Sequence, residues 1–174
     1  MIRIVVAAFA VALAAAPPPA RAAEAPAAAA EAPPTEAERV ARAYIDRYSA
    51  ADWDGMAALM APDFVLIDRT NPDPDFTPRY GSPAEALAML RRFSAAAGLI
   101  ELGFDFPLVF ESNGVVVFQG WVNALSTGPT PDAAVKWRTR QVSVITVRNG
   151  KVVHHEDFAD YDAAVVSREP LAAD

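Results

Sequence analysis

WRTRQVSVITVRNGKVVHHEDFADY, residues 137–161, reads as two strands closed by a tight turn at Asn149-Gly150. Asn-Gly is the strongest short-range hairpin signal, because both central residues of a type I′ turn need positive φ. The turn sets the register, and the register decides which side chains share a face. Counting outward from it pairs Val147 with Val152, Val144 with His155, Val142 with Asp157 and Arg140 with Ala159. In that register Asp157, His155, Val153, Val144, Val142 and Arg140 lie together, an acid, a histidine and an arginine in an apolar sheet face. Such a face predicts the wall of a pocket.

The preceding segment repeats the device. From Leu99 the apolar period is two, with Leu102, Phe104, Phe106, Leu108 and Phe110 alternating with other residues up to a second Asn-Gly turn at Asn113-Gly114. Counting back pairs Phe110 with Val117, Leu108 with Gln119, Phe106 with Trp121 and Phe104 with Asn123. One face then carries phenylalanine, leucine and tryptophan with two amides, Gln119 and Asn123, set among them. The same residues serve equally as plain core.

Upstream the period lengthens. Thr35 followed by Glu38 is a capping box, and Val40, Ala41, Tyr44, Ile45 and Tyr48 fall on one helical face. Asp52 caps a short second helix over 53–60, and Pro62-Asp63 turns the chain into a strand over 64–68. Residues 69–81 hold three prolines and form a loop long enough to cover a pocket. Ser82 with Pro83 opens a third helix, which turns Leu87, Leu90 and Phe93 inward and ends before Gly98. Three helices followed by long antiparallel strands predict an α+β domain, a cone-shaped fold with the helices on a curved, mainly antiparallel sheet.

The N-terminus has a different character. Arg3, an apolar run over 4–16 and Ala20-Arg21-Ala22 make a cleavable signal peptide over 1–22, too short to be a stable membrane span. Residues 23–34 alternate Ala, Pro and Glu as a spacer; the domain is expected over 35–166, and 167–174 as a flexible tail. Export to the periplasm or medium follows, with cleavage near Ala22. Losing Arg3 and Arg21 leaves 13 basic against 22 acidic residues, a net charge of −9, which argues against nucleic acid as a partner. There is no cysteine, hence no disulfide, thiol or zinc–cysteine chemistry. His154 and His155 are adjacent on a strand, point to opposite faces and cannot chelate one metal. No metal and no cofactor are expected, and phosphate-binding glycine motifs are absent.

The order of elements, with Asp52-Trp53-Asp54-Gly55-Met56, Asp63-Phe64-Val65-Leu66-Ile67-Asp68, Gly81-Ser82-Pro83, Gly150-Lys151-Val152 and Asp157-Phe158-Ala159-Asp160, resembles the nuclear transport factor 2-like superfamily. Within it the likeness is to SnoaL-like, limonene-epoxide-hydrolase-like and ketosteroid-isomerase-like proteins, over about residues 36–164. The fold hosts isomerases, dehydratases, cyclases, hydrolases and members with no chemistry. The resemblance places Tyr44 where ketosteroid isomerases hold an oxyanion and Asp68 where they shuttle a proton; their second donor falls near Val142 or Ser143. Asp157 matches the closing aspartate of the epoxide hydrolases, whose other two members fall at Trp121 and Asn123, so that trio is incomplete.

The candidate catalytic residues are therefore Tyr44, Asp68 and Asp157. Trp53, Phe104, Phe106, Gln119, Trp121, Asn123, Arg140 and His155 are candidates to contact a small hydrophobic molecule. Asp157 reads equally as a structural ion pair with Arg140. Three functions stay open: a cofactor-independent acid–base enzyme, a module that captures an apolar ligand, and a dimerisation or interaction domain. The resemblance implies a homodimer.

Overall fold

The structure is a computed structural model that describes residues 33–70, 77–128, 130 and 133–170. The expected signal peptide, most of the expected spacer, residues 71–76 of the expected loop and residues 171–174 lie outside the described residues.

Helix α1, Glu36–Ser49, begins where the capping box places it, with the Glu38 amide donating to Thr35 Oγ1 at 3.1 Å. Its buried face is Ala41, Tyr44 and Ile45. Helix α2, Trp53–Leu59, is capped by Asp52, whose Oδ1 accepts from the Gly55 amide at 2.9 Å and whose Oδ2 pairs with Arg47 at 2.7 Å. Helix α3, Pro83–Ala96, is capped by Ser82 and buries Ala86, Leu87 and Leu90. Phe93, expected on the same face, is 50% exposed.

The sheet comprises β1 (Met60–Asp68), β2 (Arg79–Tyr80), β3 (Leu99–Ser112), β4 (Val115–Thr127), β5 (Ala133–Arg148), β6 (Lys151–Ala159) and β7 (Val165–Pro170). Its order is β2-β1-β6-β5-β4-β3, with β7 also paired to β5. β1 runs parallel to β6 and every other pairing is antiparallel. The helices cover one face, and Tyr44, Met56, Phe64, Leu87, Phe118 and Ile145 fill the core between the layers. The fold is the expected α+β cone. β1 starts four residues earlier than predicted, at Met60, and β7 spans the expected boundary between domain and tail.

Both Asn-Gly turns form, with φ of 53° and 79° at Asn113 and Gly114 and 50° and 70° at Asn149 and Gly150. The registers beyond them differ from the simple count, because each hairpin contains a bulge. In β5–β6, Val147 pairs with Val152 as expected, but Thr146 pairs with His154, leaving Val153 as the extra residue. His155 then opposes Ile145, and Asp157 opposes Ser143 rather than Val142. In β3–β4, Leu108 pairs with Gln119 but Asp105 pairs with Trp121, so Phe106 and Pro107 together face Gly120. Pro107 has no amide to give a ladder and suits a bulge. Gly120 makes the bulge possible, since a Cβ there would lie 2.0 Å from the Asp105 carbonyl oxygen.

One residue of slip turns a strand's side chains over. Gln141 and Ser143 are therefore buried on the helix side, whereas Arg140 is exposed on the other face. Gln119, Trp121 and Asn123 also lie outside, where Arg138 and Arg140 set their guanidinium carbons 4.4 and 4.7 Å from the Trp121 ring. The expected aromatic wall divides at the bulge. Phe104 and Phe106 stay inside, and Leu108 and Phe110 emerge 49% and 53% exposed.

Candidate functional site

The parallel pairing of β1 with β6 builds the site. Leu66 is the Cα partner of His155, and two residues further Asp68 is the partner of Asp157. Alternation keeps all four on the helix side. A cavity of about 80 Å³, as swept by the centre of a water molecule, opens between them and the helices. Asp68, Thr70, Gln141 and Asp157 give it one polar wall. Leu66, Met89, Leu90, Leu99, Leu102 and Val122 supply aliphatic surface, and Tyr48, Trp53, Phe93, Phe104 and Trp137 supply rings.

Asp157 is held by its neighbours. Its Oδ1 accepts from Ser143 Oγ at 2.5 Å and from Gln141 Nε2 at 2.9 Å, and Gln141 Nε2 also reaches Ser143 Oγ at 2.8 Å. His155 Nε2 lies 2.9 Å from the same oxygen. The ring N–H is not aimed along that line, so this contact is electrostatic rather than an aligned hydrogen bond. Among the described residues no donor reaches Oδ2. Burial alone would raise the Asp157 carboxyl; the adjacent His155 and the donors Ser143 and Gln141 outweigh it and hold the carboxyl below its ordinary range. Asp157 is an anion at neutral pH.

Behind this acid stands a fully buried pair. Tyr44 Oη lies 3.1 Å from His155 Nδ1, and the two rings meet edge to face at 5.5 Å. Burial, then Tyr48 and Asp157, push the Tyr44 hydroxyl well above its usual range, so it keeps its proton. With Tyr44 donating to Nδ1, the neutral imidazole carries its hydrogen on Nε2, beside the carboxylate. Asp68 Oδ1 accepts from the Thr70 amide at 2.9 Å and from the Thr70 hydroxyl, a local turn that fixes its side chain.

The structure thus brings together only part of the expected set. Asp68, Asp157, Trp53 and Phe104 line the cavity. His155 sits behind Asp157, and Tyr44 behind His155, neither on the cavity wall. Phe106 is packed between Phe104 at 5.3 Å and Phe118 at 5.5 Å. Gln119, Trp121, Asn123 and Arg140 face away, and the expected Asp157–Arg140 pair is replaced by Asp157–His155. Gln141, Tyr48, Thr70 and Trp137 were not anticipated as site residues, and Ser143 only as one of two positions near the second donor. Tyr48 was legible as the residue one turn beyond Tyr44; Gln141 and Ser143 needed the bulge. Among the described residues no group of three or more histidine, aspartate or glutamate side chains stands ready to hold a metal ion, and no helix is long and apolar enough to cross a membrane.

The family model of the SnoaL-like domain matches residues 41–155, from the buried face of α1 to His155. This chain belongs to the SnoaL-like domain family. Its fold is similar to that of a protein assigned as a SnoaL-like polyketide cyclase from Shewanella denitrificans, with a TM-score of 0.63 and 19% identity over 72% of this chain and 91% of that one. A nuclear transport factor 2-like protein from Burkholderia thailandensis gives 0.57 and 19% over 73% and 92%. A limonene-epoxide-hydrolase-like enzyme of M. tuberculosis gives 0.53 and 18% over 72% and 83%. No curated protein sequence matches the chain. These likenesses carry the fold of the SnoaL-like domain, a family often catalytic; chemistry must come from the residues of the site.

Proposed function

We propose that this SnoaL-like domain is an acid–base enzyme that moves a proton on a small hydrophobic substrate without a cofactor. The observation that carries the reading is Asp157: an ionised carboxylate with Oδ1 fully engaged and, among the described residues, no donor on Oδ2, on the wall of an otherwise mainly apolar cavity. A carboxylate so placed abstracts a proton from a substrate carbon or oxygen at Oδ2 and returns it elsewhere. Ser143 and Gln141 keep its orientation through the transfer. Asp68, on the neighbouring strand, is the second carboxyl at which the proton can be delivered or accepted. Tyr44 and His155 act through Asp157, while Trp53, Tyr48, Phe104 and Trp137 contact the substrate.

The test is turnover by Asp157→Asn and Asp68→Asn across a panel of small enolisable ketones, epoxides and hydroxy-ketones. Loss of acid–base catalysis lowers kcat by about 10²–10⁴-fold for Asp157→Asn. If both variants turned over every accepted substrate at the parental rate, the reading would be abandoned. A second reading, capture of an apolar molecule without chemistry, is favoured by the aliphatic and aromatic share of the wall. It predicts affinity that survives Asp157→Asn and drops on Trp137→Ala.

We further propose that the domain works outside the cytoplasm as a homodimer. The leader at residues 1–22 supports export, and N-terminal sequencing of secreted protein beginning at Ala23 would check it. Leu108, Phe110 and Phe158, 49%, 53% and 41% exposed, give the outer sheet face apolar area for a second copy. Sedimentation of Phe110→Asp against the parent reads the outcome.

A further inference from the structure

The cavity carries a charge that its apolar lining does not compensate. Its wall holds the carboxyls of Asp68 and Asp157 and, among the described residues, no lysine or arginine. The arginines nearest in sequence are engaged elsewhere. Arg69 bonds Glu156 at 2.7 Å, and Arg138 and Arg140 stack on Trp121 on the far side of the sheet. The basic side chain beside Asp157 is His155, whose Nε2 approaches Oδ1 without an aligned hydrogen bond and which stands behind the acid rather than on the cavity wall. Anionic carboxylates facing an apolar space are costly unless a cation meets them there.

A second feature of the same cavity suits a cation. Tyr48 lies 5.2 Å from Phe104 and 6.2 Å from Trp53, centroid to centroid, so the three rings form one continuous aromatic surface. Ring faces attract an organic cation whose charge comes within about 6 Å of the centroid, while its carbon body packs as any apolar group does. Two carboxylates beside such a surface favour a ligand that is apolar in bulk and positive at one atom. A neutral isostere gains at most a hydrogen bond from them, without the charge attraction, and an anion is repelled.

We propose that the cavity takes a small apolar amine in its ammonium form, with the cation against Asp68 and the body over Tyr48, Trp53 and Phe104. The proposal rests on the reading of this cavity as the substrate site and names its substrate class. Asp68 is the better counter-ion: among the described residues its Oδ1 meets only Thr70, whereas three groups already crowd Oδ1 of Asp157, whose Oδ2 meets no donor among them and is left for the proton.

The experiment is calorimetric titration of the full chain at pH 7 with benzylamine, benzyl alcohol and benzoate, three ligands of one shape and three charges. Benzylamine is expected to bind more tightly than benzyl alcohol by about tenfold or more, and benzoate not at all. Asp68→Asn should erase the preference for the amine while benzyl alcohol still binds, which also shows that the variant is folded. The indole N–H signals of Trp53 and Trp137 should shift as the amine is added. Equal affinity for amine and alcohol, or amine affinity indifferent to Asp68→Asn, overturns the proposal. Its fate is separable from that of the enzyme reading. Turnover lost in Asp157→Asn without amine preference refutes only the amine, and amine preference without turnover in any substrate refutes only the chemistry.

Discussion

Asp68 and Asp157 are direct Cα partners on neighbouring parallel strands, although 89 positions separate them in the chain. The pairing is what turns two acids far apart in the chain into one polar wall. Strand β1 ends at Asp68, and the next amide, Arg69 N–H, donates to the carbonyl of Asp157 at 2.9 Å, tying the two residues at the backbone as well.

The Asp157 carboxyl gives stability a definite pH dependence. Its folded pKa is held below the ordinary aspartate value, near ~3.9 in an unfolded chain. The stabilisation it brings is therefore fully present above the unfolded value and is lost as pH falls through the folded one. Urea denaturation between pH 6 and pH 2 should show the parent losing more stability on acidification than Asp157→Asn does. Parallel curves would mean that the carboxyl is not ionised and held as described.

Ser143 and Arg140 are opposed tests of the register. Ser143→Ala removes a donor to Asp157 and should move the NMR titration of that carboxyl upward. Arg140→Gln changes a charge on the other face and should leave the titration in place. The reverse pattern would restore the unbulged hairpin.

Tyr44→Phe deletes the hydroxyl facing Nδ1 of a fully buried imidazole. An unsatisfied buried acceptor costs about 1–3 kcal/mol, to be read from the shift in chemical denaturation. Nitrogen chemical shifts of His155 should show the Nε2–H tautomer in the parent and its loss of dominance in the variant.

The β3–β4 bulge predicts unequal glycines. Gly120→Ala drives a methyl into the Asp105 carbonyl and Pro107, backbone and ring that cannot swing aside, and overpacking of this kind costs about 1–3 kcal/mol. Gly103→Ala, on the adjacent strand with nothing within 4 Å of the new carbon, should be close to neutral. Equal losses of stability at the two positions would count against the bulge.

Local signals accounted for the helices and turns. Thr35, Asp52 and Ser82 cap the helices they were expected to cap, because a cap is a contact between residues three apart and needs no tertiary context. Asn113-Gly114 and Asn149-Gly150 turn the chain for the same reason. The candidate site was legible in its acids: Asp68, Asp157, Trp53 and Phe104 all reach the cavity. Its amides and cation were misplaced together, since Gln119, Trp121, Asn123 and Arg140 share the consequences of two one-residue slips.

By itself the sequence determined the order of elements, the two hairpins and the α+β class, all encoded over a few residues by periodicity, capping and turn chemistry. Tertiary structure decided which face each strand shows. Pro107 and Gly120 hint at one bulge, but the extra residue at Val153 is chosen only when His155 must meet Tyr44 and Asp157 must meet Ser143. A buried polar group demands its partners, and here those partners are distant in the chain. Their meeting, rather than any local preference, gives the cavity its acids and sends Arg140 to the outside.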